Sequence, residues 1–339
     1  MSNAKVTSLE VAQRAGVSQS AVSRVFTPGA SASQKTIDKV RKAAQELGYR
    51  PNVLARSLTT GKSRIIGLVV AYLENQFYPE VLERLSNALQ RRGYHVLIFM
   101  ASQTAENIDS VMQEILDYQV DGIILASVAL SSDLAAACRM AQVPVILFNR
   151  GQDDGEVSAV TSANVLGGRK VAEFLLAGGH DRIAHIAGWS GSSTGRDRAR
   201  GFTEALAGKG LAPLAIIDGK YTRAGAQSAT HKLMQGPMPP DAIFVGNDHM
   251  AFAVMDTLMA HYPDAAHGIS IVGYDDVPMA AWQAYNLTTL RQPVNRMVEK
   301  TVSTLMAQIE GGTMAPETIE IEGELIVRTS ARIPKGWKK

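Results

Sequence analysis

The stretch Thr7-Ser8-Leu9-Glu10-Val11-Ala12-Gln13-Arg14-Ala15-Gly16-Val17-Ser18-Gln19-Ser20-Ala21-Val22-Ser23-Arg24-Val25-Phe26 decides the fold of the amino-terminal segment. Thr7-Ser8-Leu9-Glu10 has the spacing of a capping box, in which the Thr7 hydroxyl takes the Glu10 amide and the Glu10 carboxylate reaches back. Leu9, Val11, Ala12 and Ala15 then offer an apolar side, which predicts a short helix. Gly16 tolerates left-handed backbone and stops it. Val17 plugs the turn, and Ser18 caps a second helix predicted to run to about Phe26. Ala21, Val22 and Val25 pack that helix against the first, leaving Gln19, Ser20, Ser23 and Arg24 on the other side. Two short helices joined by a glycine-containing turn form a helix-turn-helix, whose second helix fits the major groove of duplex DNA.

Gln19, Ser20 and Arg24 are therefore the candidate readers of base edges, since amides pair with adenine and Arg with guanine. Ser18 and Ser23 are candidates for phosphate contacts, and Thr7 joins them as a candidate DNA contact at the helix entry. Charge points the same way. Residues 1–62 hold ten Lys/Arg and three Asp/Glu, a net +7, while the whole 339-residue chain is only +2, so the remainder is −5. A basic head on an acidic body suits a polyanion-binding module. An α-hairpin with no ligand would need the spacing, the glycine turn, the polar face and the charge to coincide by chance. A third helix is predicted from about Ser33 to Leu47, with Ile37, Val40, Ala44 and Leu47 closing a three-helix core and Gly48 ending it.

Tyr49-Arg50-Pro51-Asn52-Val53-Leu54-Ala55-Arg56-Ser57-Leu58 follows, with Pro51 suited to a first helical turn and Leu54 and Leu58 one turn apart. The segment is too short to be stable alone. Residues 59–63 read as linker. Gly61-Lys62-Ser63 matches the end of a phosphate-binding loop, but Arg56 stands where that motif requires glycine. Through Val17-Ser18-x-x-x-Val22-Ser23-Arg24-Val25 and Leu47-Gly48-Tyr49-x-Pro51-Asn52, the head resembles the lactose-repressor/galactose-repressor (LacI/GalR) family of bacterial regulators. The resemblance implies that Leu54–Leu58 is a hinge helix that folds on operator binding and pairs with its two-fold mate. It also implies that Leu58 is a wedge for the minor groove, with Ala55 beside it. Asn52, Ala55 and Leu58 complete the DNA-binding candidates.

Beyond residue 64 the pattern changes. Apolar runs at Ile65–Val70, Val96–Phe99, Gly122–Leu125, Pro144–Phe148, Ile183–Ala187, Ala242–Val245 and Ser270–Gly273 alternate with helical stretches at Pro79–Arg92, Ile108–Tyr118, Gly167–Ala177 and Ala199–Ala207. Continuous apolar strands separated by helices predict parallel sheets covered on both faces, with ligands at the carboxyl ends of the strands. The expected fold is an all-α helix-turn-helix head plus an α/β body of two doubly wound lobes. The resemblance covers this body too and implies a periplasmic-binding-protein-like core with three crossings between lobes, near Ser162–Asn164, Thr289–Gln292 and Glu320–Gly323. The expected domains are 1–50 for the head, 51–63 for the hinge and 64–339 for effector binding and dimerisation. Within the body, lobe one is about 64–162 and 292–320, and lobe two about 163–290 and 323–335.

The resemblance implies an effector in the cleft between lobes and nominates its residues one at a time. Asn75 and Phe77 follow the first strand, and Asn164 falls at a crossing. Arg196 and Arg198 follow Gly188-Trp189-Ser190-Gly191, Arg198 standing three residues before Gly201. Tyr221 lies where an aromatic stacks on the effector, Asn247-Asp248 follows the strand Ala242–Val245, and Asp275 belongs to the signature Gly273-Tyr274-Asp275-Asp276. Asn247, Asp275 and Arg198 are the favoured hydrogen-bonding partners, and one of the two aspartates is as apt to brace a loop as to bind. Amides, carboxylates and guanidinium groups around an aromatic suit a sugar, sugar acid or polyol. Trp189 and Trp282 read as core aromatics, and Met255 and Met259 as helix-face packing.

Other classes fit less well. With Cys138 as the one cysteine there is no intramolecular disulfide or multi-cysteine metal site, and the seven histidines lack metal-ligand spacing. No activated nucleophile or nucleotide loop is recognisable, so an enzyme is not expected, nor any cofactor. A solute-binding protein of a sugar transport system would share the lobes, but it needs an export signal, which the first twenty residues do not resemble, and has no use for the head. The expectation is a cytoplasmic homodimer on a pseudo-palindromic operator, with no membrane partner. The strand-like, basic end at 323–339 lacks a leucine heptad, against a tetramerising helix.

Overall fold

The computed structural model describes residues 6–27, 30–50, 62–71, 73–101, 105–128, 132–153, 155–311 and 315–337. The chain divides into two compact units, Met1–Ser63 and Arg64–Lys339. In the first unit three helices, α1 (Ser8–Ala15), α2 (Gln19–Phe26) and α3 (Gln34–Leu47), enclose a small core. Each starts at a side-chain cap. Thr7 and Glu10 form the full capping box, Ser18 accepts from the Ala21 amide, and Ser33 accepts from the Thr36 amide. Gly16 and Gly48 end α1 and α3 in left-handed backbone. Val11, Ala12, Val22, Val40, Ala43 and Ala44 are buried, and Phe26 meets Tyr49 at 5.8 Å. Leu9 corrects the sequence reading: it is 51% exposed. At 100° per residue it lies 200° around α1 from Val11, so it cannot share that residue's buried side.

The second unit holds two six-stranded sheets. Sheet one contains β1 (Ile65–Val70), β2 (His95–Met100), β3 (Gly122–Ala126), β4 (Val145–Phe148), β5 (Ser158–Ser162) and β11 (Thr318–Ile321), in the order β11-β5-β4-β3-β1-β2. Its paired strands are all parallel. Sheet two contains β6 (Ile183–Ala187), β7 (Ile216–Asp218), β8 (Ala242–Val245), β9 (Ser270–Asp275), β10 (Thr288–Arg291) and β12 (Glu324–Ile326), in the order β12-β10-β9-β8-β6-β7. Only β12 runs antiparallel to its neighbour. The central strands β3, β4, β6 and β8 are buried throughout, as continuous apolar runs between two helical layers must be.

The chain passes from sheet one to sheet two after Ser162, returns through α12 (Val294–Ile309), and passes back between Ile321 and Glu324. The remaining helices are α4 (Phe77–Gln90), α5 (Ala105–Asp117), α6 (Ser132–Met140), α7 (Asn164–Ala177), α8 (Ser193–Ala207), α9 (Arg223–Met234), α10 (Asp248–His261) and α11 (Pro263–Ala266). α7 and α8 touch backbone to backbone. A Cβ on Gly168 would run into the carbonyl of Arg198, and one on Gly201 into that of Val165. Neither tryptophan read as core is buried: Trp189 is 37% and Trp282 56% exposed. Phe174, Phe202 and Phe244 fill the second lobe's core instead, and each tryptophan sits on a segment beyond a strand end. Met255 packs on the core while Met259 faces outward, so the pair does not form one buried face.

Candidate functional site

The head's outer face is α2. Ser18, Gln19, Ser20, Ser23 and Arg24 are all exposed. The Ser18 hydroxyl caps the helix and lies 2.9 Å from that of Ser20. The Gln19 amide donates to the Ser8 hydroxyl at 2.9 Å, which ties the two helices at the turn. Among the described residues no hydrogen bond or ion pair holds the exposed Arg24 guanidinium. Thr7 spends its hydroxyl and main-chain N–H on Glu10. Asn52, Ala55 and Leu58 lie outside the described residues.

In the body, a polar cluster forms where strands from both sheets end, and Arg198 on α8 is its hub, with 3% exposure. Its Nε donates to Asn164 Oδ1 at 2.9 Å and its Nη1 to the Gly246 carbonyl at 2.6 Å. Its guanidinium carbon stands 3.5 Å from the centre of the Tyr274 ring, and Nη2 is buried with no partner. Asp275 ends β9 in backbone of φ 134°, a conformation that side-chain-bearing residues keep only where the surroundings enforce it. Its carboxylate accepts from Gln292 Nε2 at 2.7 Å and, across the lobes, from Asn75 Nδ2 at 3.3 Å. Asn75 Oδ1 in turn accepts the Phe77 amide and so anchors the start of α4.

Burial sets the electrostatics. Loss of hydration pushes the Asp275 carboxyl up to about 6, against the pull of Arg198. Asp248, in the first turn of α10, is pushed to about 8 by burial and then by the charge of Asp275. Its oxygens accept from Thr289 Oγ1 at 2.6 Å and the Val277 amide at 3.0 Å. Burial also raises the Tyr78 phenol and holds the His185 imidazole down to about 4, hence neutral. Two coupled buried carboxylates resist being charged together, which favours retention of a proton on the Asp248–Asp275 pair.

The nominated residues divide by what they already hold. Arg198 and Asn164 form one bonded pair and Asn75, Asp275 and Gln292 a second group, with Arg198 and Asp275 coupled through their charges. Asn164 is engaged at both ends of its amide, its Oδ1 accepting from Arg198 and its Nδ2 donating to the Ser162 carbonyl at 2.9 Å. Asn247 caps α10 through Oδ1 to the Met250 amide. Tyr221 packs its ring on Gly188 and lies 3.3 Å from the Ser192 and 3.2 Å from the Thr194 hydroxyl. Phe77 is core, edge-on to Tyr78. Arg196 stands apart: it is half exposed and reaches Asp153 of the first lobe at 2.7 Å. Of the two signature aspartates, Asp276 is the brace, gripped by Arg291 at 2.6 Å and Arg328 at 2.7 Å.

Sequence reasoning missed Tyr78, Asn149, Arg150 and Gln292. Asn149 donates to the Tyr78 hydroxyl at 3.3 Å, and Arg150 lies 5.8 Å from the Trp189 ring. Asn149 and Arg150 directly follow β4, so the strand-end rule that nominated Asn75 and Asn247 would have found them. Among the described residues no cluster of three or more metal-ligating side chains occurs, and no helix is long and apolar enough to cross a membrane.

Comparison with known proteins agrees with this geometry. Residues 8–52 match the family described as bacterial regulatory proteins, lacI family, and residues 63–329 match periplasmic binding proteins and sugar binding domain of LacI family. The chain is 31% identical over 339 residues to the HTH-type transcriptional regulator AscG of Escherichia coli K12, covering 97% of this chain and 99% of that one. It is 28% identical over 325 residues to the ribose operon repressor of the same organism, covering 95% and 98%. The crystal structure of the lac repressor dimer bound to operator and the anti-inducer ONPF superposes with a TM-score of 0.87 at 26% identity, over 96% of this chain and 99% of that one. A basic helix-turn-helix followed by two α/β lobes thus matches in both parts: the chain belongs to the LacI family and is a DNA-binding transcriptional regulator with a small-effector domain.

Proposed function

We propose that this regulator represses transcription as a homodimer on a pseudo-palindromic operator and is switched by a sugar, sugar acid or polyol held between its lobes. The observation that carries the reading is Arg198, buried and gripped on two sides with one N–H edge unspent, under the charge of Asp275, whose carboxylate is itself bonded to Asn75 of the other lobe. A buried donor left unpaired is costly, and a ligand hydroxyl or oxyanion relieves that cost. Arg198, Asp275 and Asn247 hydrogen-bond the effector, Asn164 fixes the Arg198 rotamer, and Asn75 carries the state of Asp275 to α4. Arg196 with Asp153 acts as a rim clamp between lobes, and Tyr221 supports the floor.

Effector binding biases lobe closure, a hinge motion, and the segment 51–63 passes that bias to two α2 helices whose spacing must match the operator. On this reading the chain works in the cytoplasm. A thermal-shift screen of sugars, sugar acids and polyols on the full chain tests the assignment. A tight binder is expected to lose its shift in Arg198→Ala and in Asp275→Ala. Retention of the shift in both variants overturns the site.

A further inference from the structure

Two guanidinium groups face the cleft, one from each lobe, and among the described residues neither forms an ion pair with a carboxylate. Arg198 is held by an amide oxygen, a main-chain carbonyl and the Tyr274 face, with Nη2 unpartnered. Arg150 makes a long contact of 3.4 Å from Nη2 to the Ser127 hydroxyl and faces Trp189, while its Nε is buried without a partner. Both act electrostatically on the same buried phenol, Tyr78. The Arg150–Gly151 segment already meets the second lobe, since the Gly151 amide donates to Ser193 Oγ at 3.1 Å, one and a half turns from Arg198 on α8.

The opposing charge does not balance. Asp276 is spent on Arg291 and Arg328, and Asp153 on Arg196. Burial and the charge of Asp275 favour the protonated form of Asp248, whose oxygens are taken by Thr289 and the Val277 amide, so among the described residues Asp275 is the carboxylate left to act on Arg198. A buried guanidinium such as Arg198 without full counter-charge is expensive, Arg150 is partly buried with its Nε unpartnered, and Arg meets a planar oxyanion in bidentate fashion. Two acceptors, Asn149 Oδ1 and Gln292 Oε1, are also buried and unpartnered, and they call for hydroxyl donors.

We infer that the effector is a polyhydroxylated acid whose oxyanion is shared by Arg150 and Arg198 and whose hydroxyls meet Asn149 and Gln292. This rests on the reading of the cleft as the effector site. One missing negative charge favours a carboxylate over a phosphate dianion.

The test uses the full chain and matched sets of a neutral aldose, its aldonate, its uronate and its 6-phosphate, titrated calorimetrically at fixed ionic strength. In at least one set the acid binds more tightly than its neutral parent by about tenfold or more. Arg150→Gln weakens binding of the acid more than that of the neutral parent and so collapses the preference, and Arg150→Lys restores part of it. Equal or tighter binding of the neutral parent in every set overturns the inference; if that binding is also lost in Arg198→Ala, the cleft assignment stands without it. Preference for the 6-phosphate overturns the carboxylate assignment, and absence of binding by every member counts against both the inference and the cleft reading.

Discussion

Gly201→Ala probes the close approach of α7 and α8, which brings Asn164 to Arg198. The new Cβ would lie 2.7 Å from the Val165 carbonyl carbon and closer still to its oxygen, where ordinary contact begins at 3.4 Å. The obstacle is main chain and cannot rotate away, so the helices must part by at least about 0.7 Å. Added to the 2.9 Å bond from Arg198 to Asn164, that separation reaches about 3.6 Å, beyond hydrogen-bond range. Overpacking costs about 1–3 kcal/mol, here at the upper end, and replacing a helical glycine returns up to about 1 kcal/mol. The net loss is about 2 kcal/mol, or a midpoint lower by about 4–8 °C for a unit of this size. Gly208→Ala is the control, because its nearest neighbour would be at 3.5 Å in right-handed backbone, and it is expected to be neutral or slightly stabilising. Scanning calorimetry of both variants, with effector titration, checks the reasoning. If Gly201→Ala melts as late as Gly208→Ala and binds effector as well, the argument from helix approach is wrong.

Asp248 titrates above the unfolded carboxylate value of 3.8, so across the window from there to about 8 the folded chain holds a proton that the unfolded chain has lost, and stability falls as pH rises. Asp248→Asn should flatten that slope in chemical unfolding, and an unchanged slope would speak against a protonated Asp248. His185 works in the opposite sense: its imidazole is held down to about 4, so stability falls as pH drops from 6.5 toward that value, and this acid limb should persist in Asp248→Asn. Thr7→Ala removes the α1 capping box and is expected to cost about 1 kcal/mol, read as faster amide exchange across Ser8–Ala15. Unchanged exchange would show that the cap contributes nothing.

Continuous apolar runs such as Ile65–Val70, Ile183–Ala187 and Ala242–Val245 were legible because a strand buried on both faces can contain little else. β5, β10 and β11, with the sequences SAVTS, TTLR and TIEI, carry hydroxyl or charged residues and gave no run, although they or their ends mark the crossings. β7 and β12 are three residues each, too short for periodicity to speak. In the cleft, Arg198 and Asp275 were reachable through sequence motifs, while Tyr78 and Gln292 join only through contacts between distant segments. The division of labour between Asp275 and Asp276 could not be read from two adjacent identical residues. It depends on Arg291 and Arg328 arriving from β10 and from beyond β12 to claim one of them.

The most direct test of a DNA reader built on α2 is to select duplexes from a random pool with the full chain and titrate the selected site at several salt concentrations. The account expects a pseudo-palindromic sequence, affinity that falls steeply with salt because the head is +7, and a loss of about 1–3 kcal/mol in Arg24→Ala concentrated at one base position. Binding that ignores salt, or that keeps its full sequence preference in Arg24→Ala and in a Gln19→Ala/Ser20→Ala double variant, would contradict it.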